Sequence, residues 1–466
     1  MTSVDPSKAV ADPRDQVPTW ASGEVPVGSS GWVPFPVELV QGTVHGAFER
    51  QAMQTPDAVA VAGPTGSLTY AELDDRADRV AHALVASGAA GRPVALAMAH
   101  DVDLVCAVFA VLKAGAIVLI LDPSGPHEVN RSVLVDAAPC LLVVDEVTGP
   151  VGEGLGDVVV VRQWADLLAS GGSGRVGSAV GPAAPAMLAY SSGTTGGAKG
   201  AVLPHRALLH LFRGATDALR IGPGDRLPMI FPISLAVAAY PMFLPLMVGG
   251  SLRIRDVRAH GLAGFPEWLA DEQISVLYVS PTVARFMGDV PEGVDLTALR
   301  LVVLGGERVD ADAVAVVRGA FGEHVTVANG YGATETGVLT FYVIDPRASF
   351  GAFGVPVGLP IPETELRIVS DGGDDLPQGE IGELHVRSPY LFLGYWHRPD
   401  LDEAVLRDDA GVAVYRTGDV GFDLVSLNAY PHHDTQGWTR PWMTDGIHAI
   451  PAGSGLPILI SEFGPM

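Results

Sequence analysis

Lysine is almost missing from this chain. Lys8, Lys113 and Lys199 are the only three among 466 residues, and the other 26 cationic residues are arginines. Net positive charge is missing too. The formal charge is −24, which argues against nucleic acid or an anionic membrane as a partner. A polyphosphate site would have to supply its own local positive charge. Cysteine is limited to Cys106 and Cys140, so there is no disulfide framework and a reducing, cytoplasmic setting is expected. Residues 1–17 hold charges and prolines but no apolar stretch, so they are not expected to be a secretion signal. One uncharged run, 227–252, is long enough to span a bilayer. It carries Pro228, Pro232, Pro241, Pro245 and the pair Gly249-Gly250, which would break a spanning helix repeatedly. A buried core segment is expected there.

What is present describes a well-buried globular protein: 48% hydrophobic and 18% charged residues. The length accommodates two or three domains. Residues 1–38 are rich in Pro, Gly and Ser and read as a flexible tail. From Thr43, helix and strand patterns alternate. An amphipathic helix is expected over 44–52, a strand over 57–62, and a helix entered at Thr69 as its cap. A strand follows over 93–98, a helix over 103–112 closed by Gly115, and a buried strand over 117–121. This alternation predicts an α/β fold of parallel sheets covered by helices.

Residues 190–200 hold four glycines, two threonines, two serines and Lys199. The apolar run 185–190 reads as a strand feeding this loop, and 201–209 as a turn and then a helix. A glycine-rich loop between strand and helix offers unpaired backbone N–H groups to polyphosphate. Lys199 adds a point charge and the hydroxyls add neutral donors. The spacing is not that of a P-loop NTPase, because Lys199 is followed by Gly200 and Ala201 rather than by Ser or Thr. A second cluster, Tyr331-Gly332-Ala333-Thr334-Glu335, brings an aromatic ring, a hydroxyl and a carboxylate onto a Gly-rich turn, able to serve base, phosphate and metal together. A third, Tyr415-Arg416-Thr417-Gly418-Asp419, places on a tight turn a carboxylate able to accept from both ribose hydroxyls.

These stretches, in this order, resemble the motifs of the adenylate-forming superfamily, and most closely the adenylation domains of nonribosomal peptide synthetases. The resemblance implies a large domain of two helix-covered βαβ-type sheets plus a small β subdomain. It implies ATP and Mg²⁺ as cofactors, with Ser191, Ser192, Gly193, Thr194, Thr195, Gly196 and Lys199 in the phosphate loop. The usual loop has Pro before the lysine, where this chain has Ala198. By the same resemblance Tyr331 stacks on adenine, Thr334 contacts the α-phosphate, Glu335 binds Mg²⁺ and Asp419 holds the ribose, with Tyr415 beside it. Gly305, Gly306 and Glu307 match the strand end of the adenine pocket. Residues 382–386 and 393–396 match a structural motif of the small β subdomain, with Trp396 in its core.

The reaction implied is ATP-dependent activation of a carboxylic acid to an acyl-adenylate with release of pyrophosphate. In amino-acid-activating relatives an Asp follows the Phe that opens the pocket helix and pairs with the α-ammonium. Here Phe231 is followed by Pro232. Further pocket positions match Ile233, Ala236, Tyr278, Val303, Gly305, Gly330, Val338 and Leu339, and none is a carboxylate. An unpaired buried ammonium would cost on the order of several kcal/mol. The expected substrate is therefore a small apolar acid without an α-amino group. The resemblance adds a carrier protein in trans as a partner and leaves the acceptor of the acyl group open.

The resemblance covers about residues 40–421, so a core over 39–421 is expected, then an unrelated tail over 422–466. The family's hinge, its mobile C-terminal domain and that domain's lysine have no match, since no lysine follows Lys199. This opens an alternative, an ATP- or acyl-adenylate-binding remnant that does not turn over. The runs 424–431 and 456–464 resemble late barrel strands of glycoside hydrolases, with Glu462 at the nucleophile position, so a carbohydrate-active fragment is a minor alternative. Retaining hydrolysis needs a second carboxylate about 5 Å away, and two strands cannot close a barrel.

Overall fold

A computed structural model describes residues 31–177, 179–192, 198–231, 236–287, 290–346, 348, 350, 355–377, 379–423 and 458–462. Four sheets organise them. The largest runs in the order Val161–Gln163, Leu141–Val144, Pro93–Ala97, Ile117–Ile120, Pro185–Ser192, Ala198–Pro204. Its first five strands are parallel and the last is antiparallel. Strand Pro93–Ala97 is buried throughout. Val94 and Leu96 enter one core, Ala95 and Ala97 another, as expected of a central strand covered on both faces.

The α/β fold of parallel strands covered by helices is present, and the sheets add antiparallel strands at their edges. A four-stranded sheet orders Gly66–Thr69, Val59–Gly63, Ser251–Ile254, Arg226–Met229, with its first pair antiparallel. A five-stranded sheet orders Val276–Val279, Leu301–Gly305, Thr326–Ala333, Gly337–Ile344, Leu359–Pro360, parallel at first and antiparallel after Thr326–Ala333. The small sheet orders Glu365–Val369, Ile381–Arg387, Val412–Asp423, Leu406–Asp409, all antiparallel. Short hairpin connections allow antiparallel neighbours where no helix intervenes.

Local signals set the helices. Thr43 caps Val44–Gln54 through Gly46 N–H. Thr69 and Glu72 close a reciprocal capping box on Tyr70–Ala86. Val102–Lys113 is stopped by Gly115 at φ +69. The uncharged run 227–252 is core. It contains strand Arg226–Met229 and helix Ala236–Met247, which holds Pro241 and Pro245 and buries Met242, Phe243, Leu244 and Leu246. Among the described residues no helix is long and apolar enough to cross a membrane.

The described residues begin at 31, within the tail expected over 1–38. Phe35 is buried and its N–H donates to Asp217 Oδ1 at 2.9 Å. In the tail, 424–457 lies outside the described residues. Ile458–Glu462 forms a strand antiparallel to Val412–Asp423 in the small sheet. The strands of a hydrolase barrel are parallel, so this pairing gives the barrel resemblance no support.

Candidate functional site

The glycine-rich loop is not a strand-to-helix connection. Strand Pro185–Ser192 pairs with an antiparallel strand Ala198–Pro204, in register Tyr190 to Gly200 and Ser191 to Lys199. Gly193, Thr194, Thr195 and Gly196 fall in sequence between these two strands and outside the described residues, and Ser191 and Ser192 contribute strand backbone. The apolar run Ala201-Val202-Leu203 extends the strand because it pairs with the buried Ala189, Leu188 and Met187. The helix begins only at His205, after Pro204. Lys199 stands on a strand, so no helix N-terminus adjoins it. A Cβ on Gly200 would lie 2.8 Å from the Tyr190 ring, whose hydroxyl donates to Asp136 Oδ2 at 2.5 Å.

The second cluster is also a hairpin. Strand Thr326–Ala333 turns through Thr334-Glu335-Thr336 into strand Gly337–Ile344. Thr336 Oγ1 accepts from Ala333 N–H at 3.0 Å and donates to the Gly337 carbonyl. Gly332 and Gly337 cannot be replaced cheaply: a Cβ on Gly332 would sit 1.8 Å from the Gly337 carbonyl oxygen, and Gly337 has φ +65 against the Leu211 side chain. Glu335 is buried at 9% exposure. Its Oε1 accepts from the Tyr395 hydroxyl at 2.6 Å.

The third cluster is a bulge rather than a tight turn. Across Ile381–Arg387, Glu383 faces Val420 while His385 faces Arg416, so 417–419 are extruded from strand Val412–Asp423. Gly418 takes φ +77, and Thr417 Oγ1 donates to the Leu384 carbonyl and accepts from Asp419 N–H. Such a bulge re-aims a side chain out of the sheet. Asp419 Oδ2 thereby accepts a hydrogen bond from the Tyr331 hydroxyl. Burial raises the Asp419 pKa, the Tyr331 hydrogen bond opposes this, and the charge of Glu335 adds to the rise. Burial and the Asp419 charge hold the Tyr331 phenol far above its ordinary range.

Three sequence-distant motifs thus meet. Tyr331 and Glu335 come from one hairpin, Asp419 from the small sheet, and Lys199 from the hairpin after the glycine loop. The Lys199 Nζ lies 5.9 Å from the Tyr395 ring centroid. Tyr415 is placed behind this group. It is buried edge-on against Phe392 at 5.3 Å, and Phe392 in turn packs on Tyr395 at 5.1 Å. Thr334, half-buried, stands in the turn beside Glu335. Tyr395 was legible in the sequence only as part of a structural motif.

The adenine-pocket expectation is divided. Gly305 pairs with Gly330 across the sheet, and a Cβ on Gly305 would lie 2.6 Å from the Gly330 carbonyl oxygen. Gly306 has φ +77 with open space around it. Glu307 is turned away to Thr282, accepting from its N–H at 3.1 Å and its hydroxyl at 2.5 Å. Of the pocket positions, Tyr278 and Val303 are paired neighbours, and a Cβ on Gly330 would touch both Val338 and Val303. Leu339 is buried, at the bulge where Tyr331 faces Thr340 and Gly332 faces Val338. Pro232 and Ile233 lie outside the described residues, and Ala236 is the first residue of its helix.

Among the described residues no group of three or more His, Cys, Asp or Glu could hold a metal ion. One buried carboxylate, Glu335, suits Mg²⁺, which binds through one or two carboxylates together with substrate phosphates. The donor set fits a cation that arrives on the nucleotide.

Known proteins are similar to this chain in sequence and fold. The chain is 29% identical over 394 residues to tyrocidine synthase 1 of Brevibacillus parabrevis, covering 82% of itself and 35% of that protein. It spans about a third of that relative's length. A nonribosomal peptide synthetase FmoA3 (S1046A) in AMPPNP-bound form superposes with TM-score 0.74 at 25% identity, over 84% of this chain and 42% of that one. The Klebsiella oxytoca NpsA N-terminal subdomain, in complex with 3-hydroxybenzoyl-AMSN, superposes with TM-score 0.72 at 25% identity, over 82% of this chain and 97% of that one. The family model for AMP-binding enzymes matches residues 48–396, most of the chain. The chain belongs to the AMP-binding enzyme family.

Proposed function

We propose that the chain activates a small apolar carboxylic acid lacking an α-amino group, as an acyl-adenylate. The observation that carries this is the meeting of three separate motifs: the Tyr331 hydroxyl donates to Asp419, and Glu335 and Lys199 both lie against Tyr395. An acid carboxylate oxygen attacks the α-phosphorus of ATP. The new O–P bond forms as the α–β bridging bond breaks, and pyrophosphate leaves with the electron pair. Such chemistry needs positioning and charge stabilisation rather than a protein nucleophile. Tyr331 offers its ring to the base, Asp419 accepts from the ribose hydroxyls, and Lys199 with the loop N–H groups binds phosphate oxygens. Thr334 is positioned to contact the α-phosphate. Glu335 would hold Mg²⁺, which when bound neutralises charge on the phosphates.

The substrate reading rests on the lack of a carboxylate at Pro232, Ile233, Ala236, Tyr278, Val303, Gly305, Gly330, Val338 and Leu339. The 3-hydroxybenzoyl ligand of the NpsA subdomain is an acyl group of this kind. The adenylation core is assigned to 39–421, and the acceptor of the acyl group is a carrier-protein thiol. ATP–pyrophosphate exchange with aryl, branched, short fatty and amino acids tests the reading. Exchange driven by acids without an α-amino group, and abolished by Lys199→Ala and Glu335→Ala, is the expected result. Preference for an ordinary amino acid would overturn the substrate class. No exchange with AMPPNP still bound would leave a nucleotide-binding protein.

A further inference from the structure

Lys199 and Glu335 carry opposite charges and share Tyr395 as a neighbour, and among the described residues no ion pair joins them. What each contacts instead is one side chain. The Tyr395 hydroxyl donates to Glu335 Oε1 at 2.6 Å, and the Tyr395 ring lies 5.9 Å from the Lys199 ammonium. A phenol can do both at once: it donates to a carboxylate at its hydroxyl and attracts a cation at its π-face. It satisfies both charges without neutralising either.

The backbone fixes Tyr395 in that place. Residues 393–396 run antiparallel to strand Ala198–Pro204. Leu393 N–H donates to the Val202 carbonyl, Val202 N–H to Gly394 and Trp396 N–H to Gly200, at 2.8, 3.0 and 2.7 Å. Ala201 faces Tyr395 directly. Phe392 N–H donates to the Glu335 carbonyl at 3.3 Å, so the segment also grips the second hairpin. Tyr395 N–H donates to Asp402 Oδ1 at 2.7 Å. Gly394 has φ +117, and a Cβ there would meet the Asp402 carboxylate at 2.6 Å. The ring is 7% exposed and backed by Phe392 and Tyr415.

Resting on the proposed reading of Lys199 and Glu335, we propose that Tyr395 is a positioning residue that separates them. In a half-buried site a lysine and a glutamate left facing each other pair. Nucleotide and cation would then have to break that pair before binding. With Tyr395 in contact with both, the ammonium stays available to phosphate and the carboxylate stays oriented for the divalent cation.

The test uses the full chain with Mn²⁺ and AMPPNP as probes, reading Mn²⁺ affinity by electron paramagnetic resonance and metal-free AMPPNP affinity by calorimetry in chelator. Tyr395→Phe keeps the ring and loses the hydroxyl. It is expected to leave metal-free AMPPNP binding unchanged and to weaken Mn²⁺ binding to the AMPPNP complex on the order of 10-fold, the usual effect of removing a ligand's hydrogen-bond partner. Tyr395→Leu loses both and is expected to weaken metal-free AMPPNP binding as well. Combining it with Glu335→Gln removes the competing charge and is expected to restore that binding. Wild-type Mn²⁺ affinity in Tyr395→Phe, or no restoration in the double variant, would overturn the inference. If Lys199→Ala and Glu335→Gln alone change neither affinity, the site reading itself falls, and the inference with it.

Discussion

Tyr331 and Asp419, 88 residues apart, are joined by a hydrogen bond from the tyrosine hydroxyl to the aspartate carboxylate. On the proposed reading the bond ties the ring that stacks on the base to the carboxylate that holds the ribose, and it holds down an Asp419 pKa that burial and Glu335 raise. Ribose recognition needs the ionised carboxylate, so nucleotide affinity should fall as pH drops through that raised pKa. Tyr331→Phe removes the one influence opposing the rise, and the acid limb should move to higher pH. AMPPNP titrations across pH 4 to 7 on both proteins check this (a window of about three units above the ordinary Asp value). An unmoved limb would place the titration elsewhere.

Lys113 is fully buried, with Glu49, Asp74 and Asp78 at 3.0, 2.6 and 2.9 Å and Arg175 further out. Burial alone would lower its pKa, but hydrogen bonds and charges of its partners outweigh this and raise it. Lys113→Met would leave three carboxylates short of a cation. A loss of about 3–5 kcal/mol is expected in urea unfolding. A loss below about 1 kcal/mol, the scale of a surface pair, would mean the cluster is hydrated.

His45 and His205 meet edge to face at 5.4 Å, and His205 Nδ1 accepts from Val44 N–H. Burial first, with help from Lys113, lowers His45 to about 4; burial and His45 lower His205 to about 3. Both bind protons more readily when unfolded. Their contribution is therefore complete above the ordinary histidine pKa and is lost as pH falls from about 6.5 towards 4 and 3. His205→Asn, whose amide oxygen can still accept from Val44, should flatten the fall in urea midpoint over that range. An equally steep fall would assign the acid sensitivity to other groups.

Gly332→Ala and Gly337→Ala should each disrupt the turn that carries Glu335, since the added Cβ meets the Gly337 carbonyl in one case and Leu211 in the other. Destabilisation of about 1–3 kcal/mol is expected from strain of this kind, together with loss of AMPPNP binding. A Gly319→Ala control, with open space around its Cβ and a helical backbone, should gain or lose little. Equal effects at all three positions would refute a role specific to the hairpin.

Much of this was settled within short stretches of chain. The Thr69 cap, the Gly115 stop, the buried strand at Ile117 and the prolines of the 227–252 run each act over a few residues. The three chemistry-bearing clusters were likewise visible as residue types, because they occur together and in the order of the family's motifs, although glycine, hydroxyl and carboxylate at close spacing are also ordinary turn residues. Tertiary structure decided what those clusters are. The strand that begins at Ala198 continues past the glycine-rich stretch because 201–203 find buried partners in 187–189, and Asp419 sits on a bulge because Glu383 and His385 take pairs four residues apart. Tyr395 gained its place only when residues 393–396 paired with a strand nearly two hundred positions earlier. Local propensity carries no information on partners that distant, so the sequence alone determined which groups were available, and the packing of its sheets decided which of them touch.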